Sequence, residues 1–302
     1  MPSQRRADAR FDDERLFVWC AYAPTALVIA GVVLVPIIAT FVMSLSAINT
    51  LVGGGSFVGL ANYAALLGEP DFWVSLANGL IYTVGSTLLA TVAGLLVALL
   101  LNRPFYGRGA VRALVIFPYI VPAIVVVFIW KFMFTTRGLI NDVLTSLGMV
   151  ESMVPWLGDQ RFAMLTVIII SAWAWFPFAA ITLLAALQTL PQQVLEAAAL
   201  DGAGPLHRFW FITLPLLMPA ILIVALIRAI WAFRNFDMIW LLTGGGPAGA
   251  TEVLPIMAYR EAFGTFRMGH ATAVSCCLML VMIGFVMVYF RLQRQRPPTA
   301  AA

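Results

Sequence analysis

Residues Leu190–Pro219 read LPQQVLEAAALDGAGPLHRFWFITLPLLMP, and this stretch decides how the rest of the chain is understood. Leu195, Glu196, Ala197, Ala198, Ala199 and Leu200 are good helix formers. Asp201-Gly202-Ala203-Gly204-Pro205 is a turn-prone cluster that breaks the helix. From Leu206 to Phe211 an amphipathic pattern resumes, and Pro215 and Pro219 mark the start of another apolar run. Small alanines, a glycine turn and the two charges of Glu196 and Asp201 predict a compact knob over residues 191–212, shaped to dock into a groove on another protein.

Outward from this knob the chain is apolar. It has 302 residues, 62% hydrophobic and 11% charged, with a mean hydropathy of +0.95. Soluble domains carry about 25% charged residues, so a soluble fold of this length could not cover its surface. The pattern predicts six membrane spans, at Phe17–Ser46, Trp73–Leu101, Ala110–Phe134, Phe162–Leu190, Thr213–Leu241 and Met268–Arg291. About 20 residues of helix cross the hydrocarbon, and the segments do not alternate as barrel strands do, which predicts an all-α membrane protein.

Arginines set the orientation. Arg5, Arg6, Arg10 and Arg15 precede the first span; Arg103, Arg108 and Arg112 lie between the second and third; Arg291, Arg294 and Arg296 follow the sixth. Residues Ala47–Phe72, in contrast, contain no Lys or Arg. Both termini are therefore expected in the cytoplasm, with tails at 1–16 and 292–302 flanking a transmembrane domain at 17–291. The acidic run Asp12-Asp13-Glu14 before the first span reads as part of a retained span, not a cleaved signal. The net charge of +4 is scattered over loops and tails, a distribution that serves membrane orientation and argues against nucleic acid. Cys20, Cys276 and Cys277 show neither a disulfide framework nor metal spacing.

Glu196-Ala197-Ala198, Gly202, Ile212 and Leu214-Pro215 match EAA-x3-G-x9-I-x-LP, and the chain here resembles the permease subunits of ABC importers. That resemblance implies a type I importer transmembrane domain in which this loop is the coupling helix. Glu196, Ala197, Ala198, Asp201, Gly202, Ala203, Leu214 and Pro215 would then form the contact with a nucleotide-binding ATPase, with Glu196 as its polar contact and Asp201-Gly202-Ala203 as the turn. Asn235-Phe236-Asp237 through Gly246-Pro247, followed by Tyr259-Arg260-Glu261-Ala262-Phe263, is similar to carbohydrate permeases of the maltose and glycerol-3-phosphate type in their plain six-span form. The implied partners are a second permease in a heterodimer, two ATPase subunits, an extracytoplasmic solute-binding protein and membrane lipid. The implied location is the bacterial inner (cytoplasmic) membrane. ATP and Mg would belong to the partner ATPase, with no cofactor in this chain, which lacks the G-x-x-x-x-G-K-[ST] phosphate loop.

Sugar recognition needs aromatic faces and hydrogen-bonding groups. Two places offer both: Trp173-Ala174-Trp175 with Phe178 in the fourth span, and Arg228, Trp231, Ala232 and Asn235 in the fifth. By similarity to maltose-type permeases, Ala174, Trp175, Phe178, Arg228, Ala232 and Asn235 align with substrate-lining positions. The tryptophans also suit interfacial anchoring, and Asn235 suits an interhelical hydrogen bond. Three readings of Arg228 stay open: a solute ligand, an ion pair with the partner permease, and snorkelling. Asp237, three residues beyond Arg234, is placed to neutralise it.

The function expected is a permease subunit for a sugar or sugar derivative, neutral or anionic. A polyol or glycerophosphodiester permease and an ion-coupled transporter are the alternatives. An intramembrane hydrolase is disfavoured, since His207 and His270 are isolated and Asp237 is the sole carboxylate at membrane depth. That scarcity also counts against ion coupling.

Overall fold

A computed structural model describes residues 2–51 and 53–294 of the chain. Helix α1 runs Pro2–Ser44, so the expected N-terminal tail is continuous with the first span. The C-terminal tail expected at 292–302 lies outside the described residues from 295 onward. A short antiparallel ribbon, β1 Ser46–Ile48 and β2 Gly55–Phe57, follows α1 and is the one sheet among the described residues. Next come α2 (Ala61–Gly68), α3 (Pro70–Asn102), α4 (Arg108–Ile120), α5 (Ala123–Met133) and α6 (Leu139–Ser146). The second half contains α7 (Gln160–Gln188), α8 (Gln192–Leu200), α9 (Pro205–Phe233), α10 (Asp237–Thr243), α11 (Leu254–Tyr259) and α12 (Met268–Arg294).

Five helices are long and apolar enough to span a membrane, and a sixth span arises if the bent pair α4–α5 counts as one. The core is α3 packed along α7, with α9 laid against both. Gly94 makes the close approach possible: a Cβ built there would stand 2.5 Å from the Ala179 Cβ and 2.8 Å from the Ala180 nitrogen. Small residues serve this purpose where no hydrophobic force draws helices together in lipid. In contrast, α1 packs mainly on α12, and none of Val18–Met43 is buried.

Two expected spans differ from expectation. The third, Ala110–Phe134, is not one rod: α4 and α5 meet at 95°. Pro122 has no N–H to continue the ladder, and Val121 before it is extended at ψ 131. The fifth, expected at Thr213–Leu241, instead runs Pro205–Phe233. Its start passes through a π turn, Phe209–Thr213, where the Leu214 N–H bonds to the Phe209 carbonyl. That wider turn sits directly before Pro215, which cannot donate to an ordinary helical ladder, and the helix continues past the proline. Its end comes at Arg234-Asn235-Phe236, where Asn235 turns its side chain back on the chain.

Candidate functional site: a cytoplasmic elbow and a cavity between two helix breaks

The elbow is built from backbone. Helix α8 closes in a Schellman motif: Gly202 N–H donates to the Ala199 carbonyl (3.2 Å) and Ala203 N–H to the Ala198 carbonyl (2.9 Å). Gly202 has φ +82°, the left-handed conformation this cap needs, and a Cβ there would meet nothing within 4 Å. The glycine is required by backbone angle and not by crowding. This accounts for the fixed spacing from Ala198 to Gly202, since the first supplies the carbonyl that the turn after the second reaches back to. Pro205 then opens α9 at its first turn.

No residue of α8 is buried. Glu196, Ala197, Asp201 and Gly202 are exposed, Ala198 and Ala203 half-buried. Glu196 joins none of the ion pairs among the described residues. Leu200 is 90% exposed and Leu206 74%, and Trp210 and Phe211 stand out beside them. Covering each leucine is worth about 2 kcal/mol. Leu214 is half-buried and Pro215 exposed, more than two turns inside α9. A recess of ≈ 540 Å³ lies behind the elbow, walled by Leu99, Arg103, Leu187, Leu195 and Phe209.

The second feature lies where the two broken spans meet. Helices α5 and α10, the pieces beyond the breaks, pack on each other, and Lys131 Nζ donates to the Leu241 carbonyl at 3.2 Å. Beneath them is a cavity of ≈ 510 Å³ lined by Tyr119 and Ala123 from the first break, Arg234, Asn235, Phe236, Asp237 and Met238 from the second, and Trp175 and Trp231. The aromatic wall is continuous: Tyr119 to Trp175 is 5.7 Å between ring centres, Trp175 to Trp231 5.6 Å, and Trp231 to Phe178 4.9 Å. Asn235 holds the second break in place, accepting the Met238 N–H at 3.2 Å and donating to the Tyr82 hydroxyl at 3.2 Å. Tyr82 shares a 2.8 Å hydrogen bond with Ser171, so α3, α7 and the break are tied together.

Trp175, Trp231 and Asn235 therefore line one cavity, and Ala174 lines a smaller pocket beside it, ≈ 180 Å³ in volume. Phe178 stands behind Trp231. Arg228 is 1% exposed and lies behind Trp175, its Cζ 5.1 Å from the ring centre. Trp173 points elsewhere, edge-on to Trp130 at 5.2 Å, and Ala232 is packed in the core with Tyr82 and Ile239. The expected neutralising contact between Arg234 and Asp237 is not among the ion pairs of the described residues, although both line the cavity. Tyr119, Ala123 and Tyr82 were missed from the sequence. The signal for the first two was Pro118-Tyr119-Ile120-Val121-Pro122, two prolines four residues apart inside one apolar run.

Above the cavity the outer loops are closed by their own side chains. Asn141, fully buried, donates to the Thr136 and Val154 carbonyls at 2.9 Å and accepts from Val154 N–H and Trp156 Nε1. Asn78 donates to the Gly249 and Glu252 carbonyls, both at 3.0 Å. Arg260 meets Glu252 at 2.6 Å and the Gly244 carbonyl at 2.9 Å. Burial pushes the Glu252 carboxyl up, against the pull of Arg260. Burial also acts to raise Glu261, but hydrogen bonds from Arg267 and Thr265 outweigh it and hold that carboxyl below its usual range.

Residues 90–296 match the family described as binding-protein-dependent transport system inner membrane component. The trehalose/maltose transport system permease protein MalF of Thermococcus litoralis is 37% identical, covering 90% of this chain and 92% of that protein. The sulfoquinovosyl glycerol transport system permease protein SmoG of Agrobacterium fabrum is 31% identical, covering 94% of this chain and 92% of that protein. Among solved structures, a chain of a bacterial ABC transporter importing the acidic polysaccharide alginate superposes with a TM-score of 0.81, covering 95% of this chain and 99% of that one at 23% identity. The chain thus belongs to the binding-protein-dependent transport system inner membrane component family, as a non-enzymatic, multi-pass permease subunit of an ABC importer.

Proposed function

We propose that this permease carries a sugar or sugar derivative, and that the cavity between the two helix breaks is where the solute is held. The observation that carries this reading is the aromatic wall of Tyr119, Trp175 and Trp231 beside the amide of Asn235, flat faces for a sugar ring with polar groups at its edge. Relatives named for trehalose/maltose and for sulfoquinovosyl glycerol support it. Discontinuous helices are how transporters place binding groups at membrane depth. Trp175, Trp231 and Asn235 are assigned to direct contact, Ala174, Phe178 and Arg228 to the layer behind them, and Trp173 and Ala232 to its packing.

The elbow is assigned to ATPase docking. Glu196, Ala197, Ala198, Asp201, Gly202 and Ala203 present the contact, and Leu214-Pro215 follow within α9, just past its π turn. The partners are a second permease in a heterodimer, two ATPase subunits that bind ATP and Mg, and a solute-binding protein delivering to the outer loops. Supporting this, no residue of α8 is buried, and Leu200 and Leu206 on either side of the turn are exposed apolar surface of the kind a docking partner covers.

The test is uptake by proteoliposomes holding the whole importer, with solutes first chosen by a thermal-shift screen of the cognate binding protein. Trp231→Ala is expected to reduce uptake at least about tenfold, the loss of one stacked ring in a buried site. Unchanged uptake by that variant would remove the cavity from the solute path, and uphill uptake by this chain alone would overturn the importer assignment.

A further inference from the structure

Around Trp175 hydrogen-bond donors outnumber the acceptors offered to them. Arg228 is 1% exposed, yet its Nε and Nη2 have no hydrogen-bond partner, and neither does Trp175 Nε1. Neighbouring acceptors hold other donors: the Tyr82 hydroxyl accepts from Asn235 and is also bonded to Ser171, and the Asn235 oxygen accepts the Met238 N–H. No carboxylate among the described residues pairs with Arg228. An unpaired charge at this depth costs several kcal/mol, and it is retained where a counter-charge arrives.

The cavity wall carries the same sign. Arg234 lines it beside a single carboxylate, Asp237, and Arg228 adds a second positive charge from behind the Trp175 ring. Ala123, also in the wall, begins the eleven-residue helix α5, whose N-cap is Pro122 and offers no side-chain acceptor to its first-turn N–H groups. A sugar hydroxyl brings a donor with every acceptor, whereas an anion brings acceptors only.

We propose that the solute carries an anionic group, a carboxylate, sulfonate or phosphate, drawn to the edge of this cavity by the unpaired charge of Arg228 behind Trp175. This rests on the cavity being the solute site. Arg228 is already 1% exposed with this chain alone, so it offers almost no surface for an acid on the partner permease to pair with.

The test uses the chain co-purified with its partner subunits in lipid nanodiscs, with radiolabelled glucuronate, glucose 6-sulfate, glucose 6-phosphate and glucose as probes. At least one charged probe is expected to bind about tenfold or more tightly than glucose, as charge-assisted hydrogen bonds do. Arg228→Gln should bring that probe down to the level of glucose, while Arg228→Lys keeps part of the preference. Comparing charged and neutral probes on the unaltered protein reads the proposal even if the glutamine variant does not fold. Equal binding of glucose and all charged probes, lost together in Trp231→Ala, would leave the cavity as the solute site and overturn the anion proposal. Binding untouched by Trp231→Ala, or no binding of any probe, would overturn both. An anion preference that persists in Arg228→Gln while the partner permease dissociates would make Arg228 a subunit contact and overturn the proposal.

Discussion

The two ends of this molecule are finished in opposite ways. On the outer side, Asn141, Asn78 and Arg260 close the loops with side-chain hydrogen bonds, and polar groups there are largely buried or paired. On the cytoplasmic side the elbow is held by backbone bonds alone, with Leu200 and Leu206 in the open. The difference teaches that the outer face holds its own shape with side chains, while the elbow holds its shape with backbone and leaves its apolar surface uncovered, as the proposed docking requires. Substitutions on the outer face should therefore cost stability, and substitutions in the elbow should cost coupling.

The largest effect tests the outer half of that contrast. Asn141→Ala would leave part-buried backbone groups of Thr136 and Val154 and the Trp156 indole unpaired, at about 3 kcal/mol in all. A clearly lowered unfolding midpoint in detergent is expected, and an unchanged one would break the comparison. Glu196→Lys addresses the other half. Since Glu196 is exposed, the midpoint should stay within about 0.5 kcal/mol of the parent, while uptake per ATP hydrolysed falls about tenfold. Loss of stability without loss of coupling would reverse the assignment. Gly202→Ala should be milder, about 1–2 kcal/mol confined to the turn, because alanine at φ +82° is strained but nothing crowds its methyl. A few-fold drop in uptake with an unaltered global midpoint is the expected reading.

The smallest effect is a pH dependence. The Glu261 carboxyl is held below its ordinary value, so its contribution to stability is complete above the unfolded-state pKa of about 4.3 and is lost as pH falls through the lower folded value. Glu261→Gln should flatten the acid limb of the midpoint-versus-pH curve below about pH 4 and leave neutral pH little changed. An equal acid limb in the variant would show that this pair does not stabilise the outer face.

Much of this contrast was legible in the residues. The Ala198-to-Gly202 spacing states a helix cap, and the lack of Lys and Arg from Ala47 to Phe72 states which face is outside. Hydrophobic length placed the spans, but it could not place the breaks, since an apolar run stays apolar across a 95° bend. Pro215 was read as the edge of a span because an ordinary helix would stop near it, and the π turn that carries α9 past it has no signature in composition. Trp173 and Trp175 looked alike in the sequence, yet two residues along a helix turn a side chain to nearly the opposite face, so one joins Trp130 and the other the cavity. Asn141 gave no warning, because an asparagine in a polar loop looks the same whether it is solvated or holds four partners.

Helix α9 has a mechanical consequence. Its 29 residues, Pro205–Phe233, make a rod of about 43 Å that begins at the elbow and carries Trp231 near its far end. On the proposed docking, a push at the cytoplasmic end would cross no loop before it reached the aromatic wall. The slack lies at the two extremities, a π turn near the start and Asn235 just past the finish, so the element behaves as a crank with a joint at each end.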